Sequence, residues 1–401
     1  VASRSRPEFD PIGIELDELL GVIGLVSDKT IEQKSSPLSS FIVFPTFGIT
    51  GAYESNIFLT SRNETSDKRI TYSPAVSVQS DWTRHSFAVS ANAQILQYED
   101  ATDENHENYQ VQASSSLEIY DYTKVDAVVG YARRHQERNA EDDPGQGFEP
   151  IPSDNIFFDS TTEYNADALL LRFTLKYEQQ DYHDISGLDN DPKDVTRLDL
   201  TGRIGYEFTP GTTIFVQPKA DFRIFDQTRD ASGLLQDNSA IGGLVGVTWD
   251  LTGVTFAEFG IGVERRTYDE PTYQSQTNLD FTGKLIWNVT DLLTLTGDLG
   301  RSTAESSTAG ESGVLTTTFS GTVDYEFLDN IIITAGLSYV QADNQETTRT
   351  DKTIDGNLGV NYLVNENWTA NLSLTQSHRV STTDTEEYDN FVASVSLTAK
   401  L

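Results

Sequence analysis

The chain has no cysteine and no methionine, and only five histidines, among its 401 residues. Without cysteine, disulfide bonds, thiolate metal sites and a cysteine nucleophile are excluded. No apolar run reaches the length of about 18 residues that a membrane-spanning helix needs. Any part of this chain that crosses a membrane must therefore cross it with β-strands.

Basic residues are also scarce, with 28 Lys and Arg against 62 Asp and Glu, which gives a net charge of −34. This balance excludes nucleic acid as a partner, because a phosphate backbone needs a basic surface. Acidic surfaces instead suit divalent cations or simple solubility. The chain starts at Val1 without methionine, and we expect an exported protein whose signal peptide has been removed.

Period-two alternation is the strongest pattern that is present. In 197–208 the even positions are apolar, including Leu198, Leu200 and Ile204, whereas the odd positions carry charges such as Arg203. The same two-faced pattern recurs in 86–95, 213–225 and 367–374. Alternation of this kind predicts half-buried β-strands.

A soluble β-sandwich alternates too, but the strands expected here run about 10 to 15 residues, which matches a tilted membrane crossing. Short turns and longer polar loops also alternate along the chain. This connection pattern is typical of an outer-membrane barrel, with turns in the periplasm and loops outside. The predicted fold is all-β: a transmembrane antiparallel up-and-down β-barrel of about 18 strands. The predicted turns are 82–85, 120–124, 209–212, 252–253, 288–291, 328–330 and 364–367. The predicted loops are 55–67, 99–107, 138–158, 184–193, 227–238, 270–275, 304–311, 342–350 and 380–387.

The strand count depends on segment 159–183, which must cross twice to keep the orientations consistent. Its parity breaks at Leu170 and Leu171, where we predict a tight turn. Residues 39–401 then form the barrel. Residues 1–38 form an N-terminal extension whose stretch 14–26 predicts a short helix, and which could plug the lumen, lie on the periplasmic face or dock a partner.

All four tryptophans lie beside predicted short turns, which predicts an aromatic girdle at the periplasmic interface. A second ring is expected at the loop ends, from Tyr98, Tyr131, Phe225, Tyr268 and Tyr339. The periplasmic girdle comprises Trp82, Trp249, Trp287 and Trp368.

The polar parity of the same strands predicts residues that line the lumen. Mixed charge would keep a lumen wet and could bind sugar hydroxyls, although any porin-sized barrel needs a polar interior. The candidates are Arg197, Asp199, Arg203, Glu207, Lys219, Asp221, Arg223, Glu258, Glu264, Arg266, Lys284 and Asp298.

No sequence motif of an enzyme is present, and we expect no catalytic residues, although Ser, His and Asp could still be assembled from separate strands. The histidines show no i, i+4 pair that would suggest a metal site. We expect no cofactor, apart from Ca²⁺ or other divalent cations at acidic loops. The candidate ligands are Asp189, Asp191 and Asp194, without the spacing of an EF-hand.

Five segments resemble an outer-membrane β-barrel family found with surface-polysaccharide and exopolysaccharide gene clusters in Proteobacteria. They are RPEFDPIGI (6–14), FIVFPTFGITGAYESNIFLT (41–60), QSDWTRHSFAVSANA (79–93), YARRHQERNAEDDP (131–144) and YEQQDYHD (177–184). The chain departs from that family in the insertion after the first segment, and it ends in Leu401 where the assembly signals of barrels usually have an aromatic residue.

The resemblance implies a conduit or scaffold for polysaccharide export in the outer membrane of a Gram-negative bacterium. The alternatives are a general diffusion porin for small solutes and a structural envelope protein whose barrel is occluded by 1–37. The expected partners are outer-membrane lipids and lipopolysaccharide, with polysaccharide and periplasmic export components if the first function holds.

Overall fold

The alternating segments form 18 antiparallel β-strands in a computed structural model, which describes residues 40–401 apart from 139, 141, 142, 144, 228–232, 252 and 305–311. The strands are 12 to 15 residues long, within the range expected for a tilted membrane crossing. They are β1 (Phe41–Glu54), β2 (Asp67–Ser80), β3 (Ser86–Tyr98), β4 (His106–Ile119), β5 (Thr123–His135), β6 (Pro152–Ala166), β7 (Leu169–Tyr182), β8 (Val195–Thr209), β9 (Thr212–Phe225), β10 (Asn238–Leu251), β11 (Thr255–Tyr268), β12 (Gln276–Thr290), β13 (Leu293–Ala304), β14 (Val314–Leu328), β15 (Ile331–Asn344), β16 (Thr350–Leu363), β17 (Trp368–Ser381) and β18 (Tyr388–Lys400).

Each strand pairs with its neighbour in sequence, and β1 also pairs with β18. Nine residue pairs, from Thr46 with Lys400 to Glu54 with Val392, close this last ladder. Closure leaves no free sheet edge, so every strand has two partners for its backbone hydrogen bonds. The predicted antiparallel up-and-down barrel is confirmed.

The connections alternate between short turns and generally longer loops, as predicted, although L8 is no longer than the β2–β3 turn. Turns such as 210–211 and 291–292 lie at one end of the barrel, together with the start of β1 and the end of β18. We call this the short-turn end and the opposite one the loop end. The nine loops of the loop end are L1 (55–66), L2 (99–105), L3 (136–151), L4 (183–194), L5 (226–237), L6 (269–275), L7 (305–313), L8 (345–349) and L9 (382–387).

Several predicted boundaries are displaced, including the turn 288–291, which lies at 291–292, and the loop 342–350, which lies at 345–349. The turn between β6 and β7 lies at 167–168 and not at 170–171. Asp167 adopts a left-handed conformation there, with φ 52°, which a short polar side chain tolerates better than most. The predicted loop 138–158 is also too long, because β6 already begins at Pro152 and pairs with β5 from His135 onward.

The barrel has an apolar outer face and a polar inner face. Large apolar side chains on one parity of the strands other than β13 are exposed, for example Ile241 (69%), Leu337 (62%) and Val395 (60%). Side chains of the other parity point to the enclosed side. Because successive strand residues face opposite sides, the parity of the exposed residues assigns the whole strand.

Neighbouring loops are joined around the whole loop end, in a circuit that we call the rim. In L2 and L3, for example, the Arg138 Nε–H donates to Glu104 Oε2 at 3.0 Å, and both side chains are largely buried. The circuit returns to its start where the Asn56 N–H donates to Asn390 Oδ1 at 3.1 Å. The remaining links are Ala101 to Asp67, Lys193 to Gln136, Gln236 to Pro192, Leu235 to Glu270, Gln276 to Ser312, Ser312 to Glu346 and Arg349 to Glu386.

Three single-turn 3₁₀ helices lie in L2, L4 and L9, and none of the helices within the described part of 40–401 is long and apolar enough to span a membrane. The predicted extension 1–38, with its helix at 14–26, lies outside the described residues apart from its boundary with the barrel.

Candidate functional site

All twelve charged residues that the sequence predicts to line the lumen lie on the inner face of β8–β13. Strands that are not adjacent in the sheet cannot exchange backbone hydrogen bonds. Their side chains therefore meet only if they project from the same face of the sheet. Arg203 on β8 and Glu258 on β11 do so, with Nη2 to Oε1 at 2.7 Å and Nη1 to Oε2 at 2.9 Å. This contact crosses β9 and β10 on the concave side of the barrel.

Arg203 is held by three kinds of contact. Besides the bidentate pair with Glu258, its Nε–H donates to Gln217 Oε1 at 2.6 Å, and its guanidinium carbon lies 4.0 Å from the centroid of the Phe215 ring. Thr248 Oγ1 donates a further hydrogen bond to Glu258 Oε2 at 3.1 Å. A planar guanidinium can satisfy a carboxylate and an aromatic face at once, which fixes this cation flat against the wall.

Phe215 is a residue that the alternation missed, because it is apolar at a polar parity of β9. The ring lies against the backbone of β10, where a Cβ at Gly246 would meet its Cζ at 2.3 Å. Glycine at this position therefore leaves room for the ring. With 3% exposure, Phe215 is shielded from the lumen by Arg203.

Closer to the loop end, seven inner side chains of alternating charge form a continuous network, which we call the charge chain. Arg223 Nη1 lies 2.7 Å from Asp199 Oδ1, and Lys219 Nζ lies 2.7 Å from Glu264 Oε2. Arg266, which is only 2% exposed, bridges two carboxylates. In order, the charge chain consists of Asp199, Arg223, Asp221, Arg266, Glu264, Lys219 and Asp280.

Asp280 is the one member of the charge chain that the sequence candidates omit. It lies on β12 at the same parity as Lys284, which is a candidate, and that shared parity was the signal available. Lys284 itself approaches Asp298 at 4.0 Å. Because the charge chain has four carboxylates and three cations, its members largely neutralise one another.

Two further candidates have different roles from the charge chain. Arg197 on β8 pairs with Glu178 on β7 at 3.1 Å, next to the loop end. Glu207 lies near the short-turn end, where its Oε1 accepts the Gly211 N–H at 2.8 Å and so supports the β8–β9 turn. The structure does not bring Glu207 to the other charged candidates.

The four tryptophans all lie at the short-turn end. Trp82 is in the β2–β3 turn, Trp368 begins β17, and Trp249 and Trp287 are near the ends of β10 and β12. The expected second ring is wrong for Tyr98, Phe225 and Tyr268, which have inner-face parity. Tyr131 and Tyr339 have outer-face parity at the loop end.

The acidic loops divide the predicted Ca²⁺ ligands between two groups, in each of which the carboxylate oxygens lie within 4.8 Å of one another. The groups are Asp184, Asp189 and Asp191, and Asp181, Asp194 and Asp226. The structure therefore separates Asp194 from Asp189 and Asp191. Burial raises the pKa of Asp194 to about 6; the hydrogen bond that it accepts from the Tyr182 N–H lowers the pKa, and the neighbouring Asp181, Asp191 and Asp226 raise it. Ca²⁺ binding stays a prediction.

The histidines bind acidic, amide or backbone groups. His183 Nε2 lies 2.8 Å from Asp154, and His378 Nδ1 lies 2.8 Å from Asp389. His135 hydrogen-bonds Asn108 and His106 hydrogen-bonds the Glu104 carbonyl, while His85 Nδ1 accepts the Glu118 N–H. Within the described residues no histidine hydrogen-bonds a serine, so they contain no Ser–His pair of the kind that serine hydrolases use.

Comparison with known proteins identifies the family. Residues 32–401 match the model of the family described as "Putative beta-barrel porin 2". The chain belongs to this family. No curated protein matches the chain.

Solved outer-membrane barrels resemble this chain in fold. The outer membrane protein OpdK from Pseudomonas aeruginosa is 10% identical, with a TM-score of 0.50, over 90% of this chain and 99% of OpdK. A BenF-like porin from Pseudomonas fluorescens Pf-5 is 13% identical, with a TM-score of 0.48, over 90% of this chain and 99% of that porin. The siderophore receptor PirA from Acinetobacter baumannii is 8% identical, with a TM-score of 0.49, over 92% of this chain and 81% of the receptor.

Proposed function

We propose that this chain is an outer-membrane porin through which small hydrophilic solutes diffuse. The observation behind the proposal is the closed 18-stranded barrel with an apolar outside and a charged, hydrogen-bonding inside. Barrels of about 16 to 18 strands are wide enough to leave an aqueous channel. Membership of a β-barrel porin family supports the same function.

The faces also suit the two solvents that such a protein meets. Exposed aliphatic residues such as Ile241 and Leu337 would contact lipid chains, and the short-turn end with its tryptophans would face the periplasm. The ion pairs of the inner face remain partly open to water, as Asp298 shows with a side chain 47% exposed. Water next to such groups is compatible with a filled pore.

Polysaccharide export, the main function predicted from the sequence, receives less support than the porin alternative. Polysaccharide is not mentioned in the description of the matched family or in that of OpdK. The occluded-barrel alternative depends on 1–37, which lie outside the described residues. Contacts with lipopolysaccharide, and divalent cations at the acidic loops, remain part of the proposal.

The test is single-channel recording of the refolded full chain in planar bilayers, combined with liposome swelling in sugars of increasing size. We expect a steady conductance and swelling that falls as the sugar grows. Heat-modifiable gel mobility would show in parallel that the inserted protein is folded. Folded protein without conductance would refute the porin and favour a structural role, and current that appears only when 1–38 are deleted would favour the occluded barrel.

A further inference from the structure

The inner face differs in character around the barrel. The long, charged side chains concentrate on β6–β13, whereas the inner positions of β14, β15 and β16 are mostly small and hydroxylated. We call this second region the small-residue wall. Its inner residues include Thr318, Ser320, Thr322, Thr334, Ser338 and Thr353, judged from the exposed outer parity of Phe319, Leu337 and Ile354.

Two carboxylates stand on the small-residue wall without a cation. Asp324 Oδ1 accepts a hydrogen bond from Thr334 Oγ1 at 2.6 Å, and Asp355 Oδ2 accepts one from Ser338 Oγ at 3.2 Å. Neither has an ion pair with any described residue. β14 and β15 contain no Lys or Arg, and the single Lys of β16, Lys352, has the outer parity of Ile354. The inner Arg379 of the neighbouring β17 is directed elsewhere, with its Nε–H donating to Thr353 Oγ1 at 3.2 Å and its guanidinium over the Tyr388 ring.

The opposite situation holds on β6–β13. Arg203 faces Glu258, Arg172 faces Glu163 at 2.8 Å, and the cations of the charge chain each touch at least one carboxylate. The electric fields of two opposite charges in contact largely cancel away from the pair. A passing ion therefore meets dipoles, and not net charges, on this wall. The small-residue wall therefore carries negative charge that no contacting cation compensates.

We infer that the pore favours cations, and that small cationic solutes pass along the small-residue wall, where Asp324 and Asp355 set the selectivity. Carboxylates that line a pore raise the local concentration of cations and repel anions. Small side chains leave the solute path open beside them, whereas the long side chains of β6–β13 occupy their side of the lumen. The inference rests on the proposed porin function and adds the class of solute.

The test measures reversal potential for the full chain in planar bilayers across a KCl gradient at low salt, where screening is weak. We expect a cation-to-anion permeability ratio above one. In the double variant Asp324→Asn and Asp355→Asn the ratio should fall at least about threefold, because a single unit charge about 7 Å from an ion already changes that ion's local concentration by this factor in water. The control is Asp384→Asn, which removes one carboxylate charge from exposed L9 and should leave the ratio nearly unchanged.

A second readout uses solutes in place of salt. Liposomes with the wild-type chain should take up lysine faster than glutamate, and the double variant should lose most of that difference. Absence of current from folded protein would refute the porin itself. A conducting pore that prefers anions, or whose ratio is equal in wild type and double variant, would refute this inference and leave the porin intact.

Discussion

Replacing Leu337 by arginine tests the assignment of the two faces. Leu337 lies midway along β15 on the outer face, 62% exposed, opposite Gly321 of β14. An arginine there would enter the hydrocarbon near the midplane, at a cost of about 2–4 kcal/mol. That cost lowers the ratio of folded to unfolded protein by a factor of about 30 to about 1000.

The matched control is Ser320→Arg. Ser320 precedes Gly321 on β14 and pairs with Ser338 on β15, so it lies at the same depth as Leu337 but on the inner face. Water in the lumen would solvate the new cation, and Asp355, which Ser338 hydrogen-bonds, would attract it. We expect a change within about 0.5 kcal/mol, as for an ordinary surface substitution.

Both variants keep all four tryptophans, so urea titration in phospholipid vesicles can be followed by their fluorescence, with gel mobility as a check on folding. A large loss for Leu337→Arg and little for Ser320→Arg is the expected outcome. Equal losses, or a larger loss for Ser320→Arg, would show that the faces are misassigned or that the inner face is packed without water. The porin proposal would then be refuted too.

Three other predictions follow from individual contacts. Lipids brominated at graded depths should quench the four tryptophans with a common depth profile, and quenching from both leaflets would contradict their placement at the short-turn end. A double-mutant cycle between Arg203 and Glu258, with alanine at each, should give a coupling of about 1–2 kcal/mol, whereas a value near zero would mean that the pair is fully solvated. Because burial raises the pKa of Asp194 to about 6 from 3.8, its ionised form opposes the folded loop, so this penalty grows as pH rises from 3.8 through 6. Hydrogen exchange of L4 should therefore be slower in Asp194→Asn than in wild type at pH 8 and equal at pH 3; no difference at pH 8 would contradict the shifted pKa.

The barrel could be predicted from the sequence because each crossing strand has one apolar and one polar face. Parity identified the positions of Arg203, Lys219 and Asp298 without knowledge of their partners. It failed between β6 and β7, where Leu170 is apolar but has inner-face parity and lies next to Gly205. That leucine moved the apparent parity break three residues past the true turn at Asp167.

The partners themselves could not be predicted. Arg203 meets Glu258 across two intervening strands, and that distance depends on strand tilt and register, which a single sequence does not contain. The same holds for the rim, where Arg138 and Glu104 come from different loops. Phe225 was placed in an aromatic ring because it lies at a strand end, although parity alone gives it to the inner face.

The contact between Asn56 and Asn390 bears on how the barrel assembles. Every other ladder joins strands that are neighbours in sequence, so each can form as a local hairpin. The β1–β18 ladder instead joins the first and last strands, and the Asn56–Asn390 contact at its end links residues 334 positions apart, so forming it costs the most chain entropy. This ladder is therefore expected to form last during assembly and to open first. Asn390 Oδ1 accepts the Asn56 N–H, and Asn56 Nδ2 donates to the Asp389 carbonyl at 3.0 Å. The two asparagines therefore stabilise the junction between the first and last strands of the barrel.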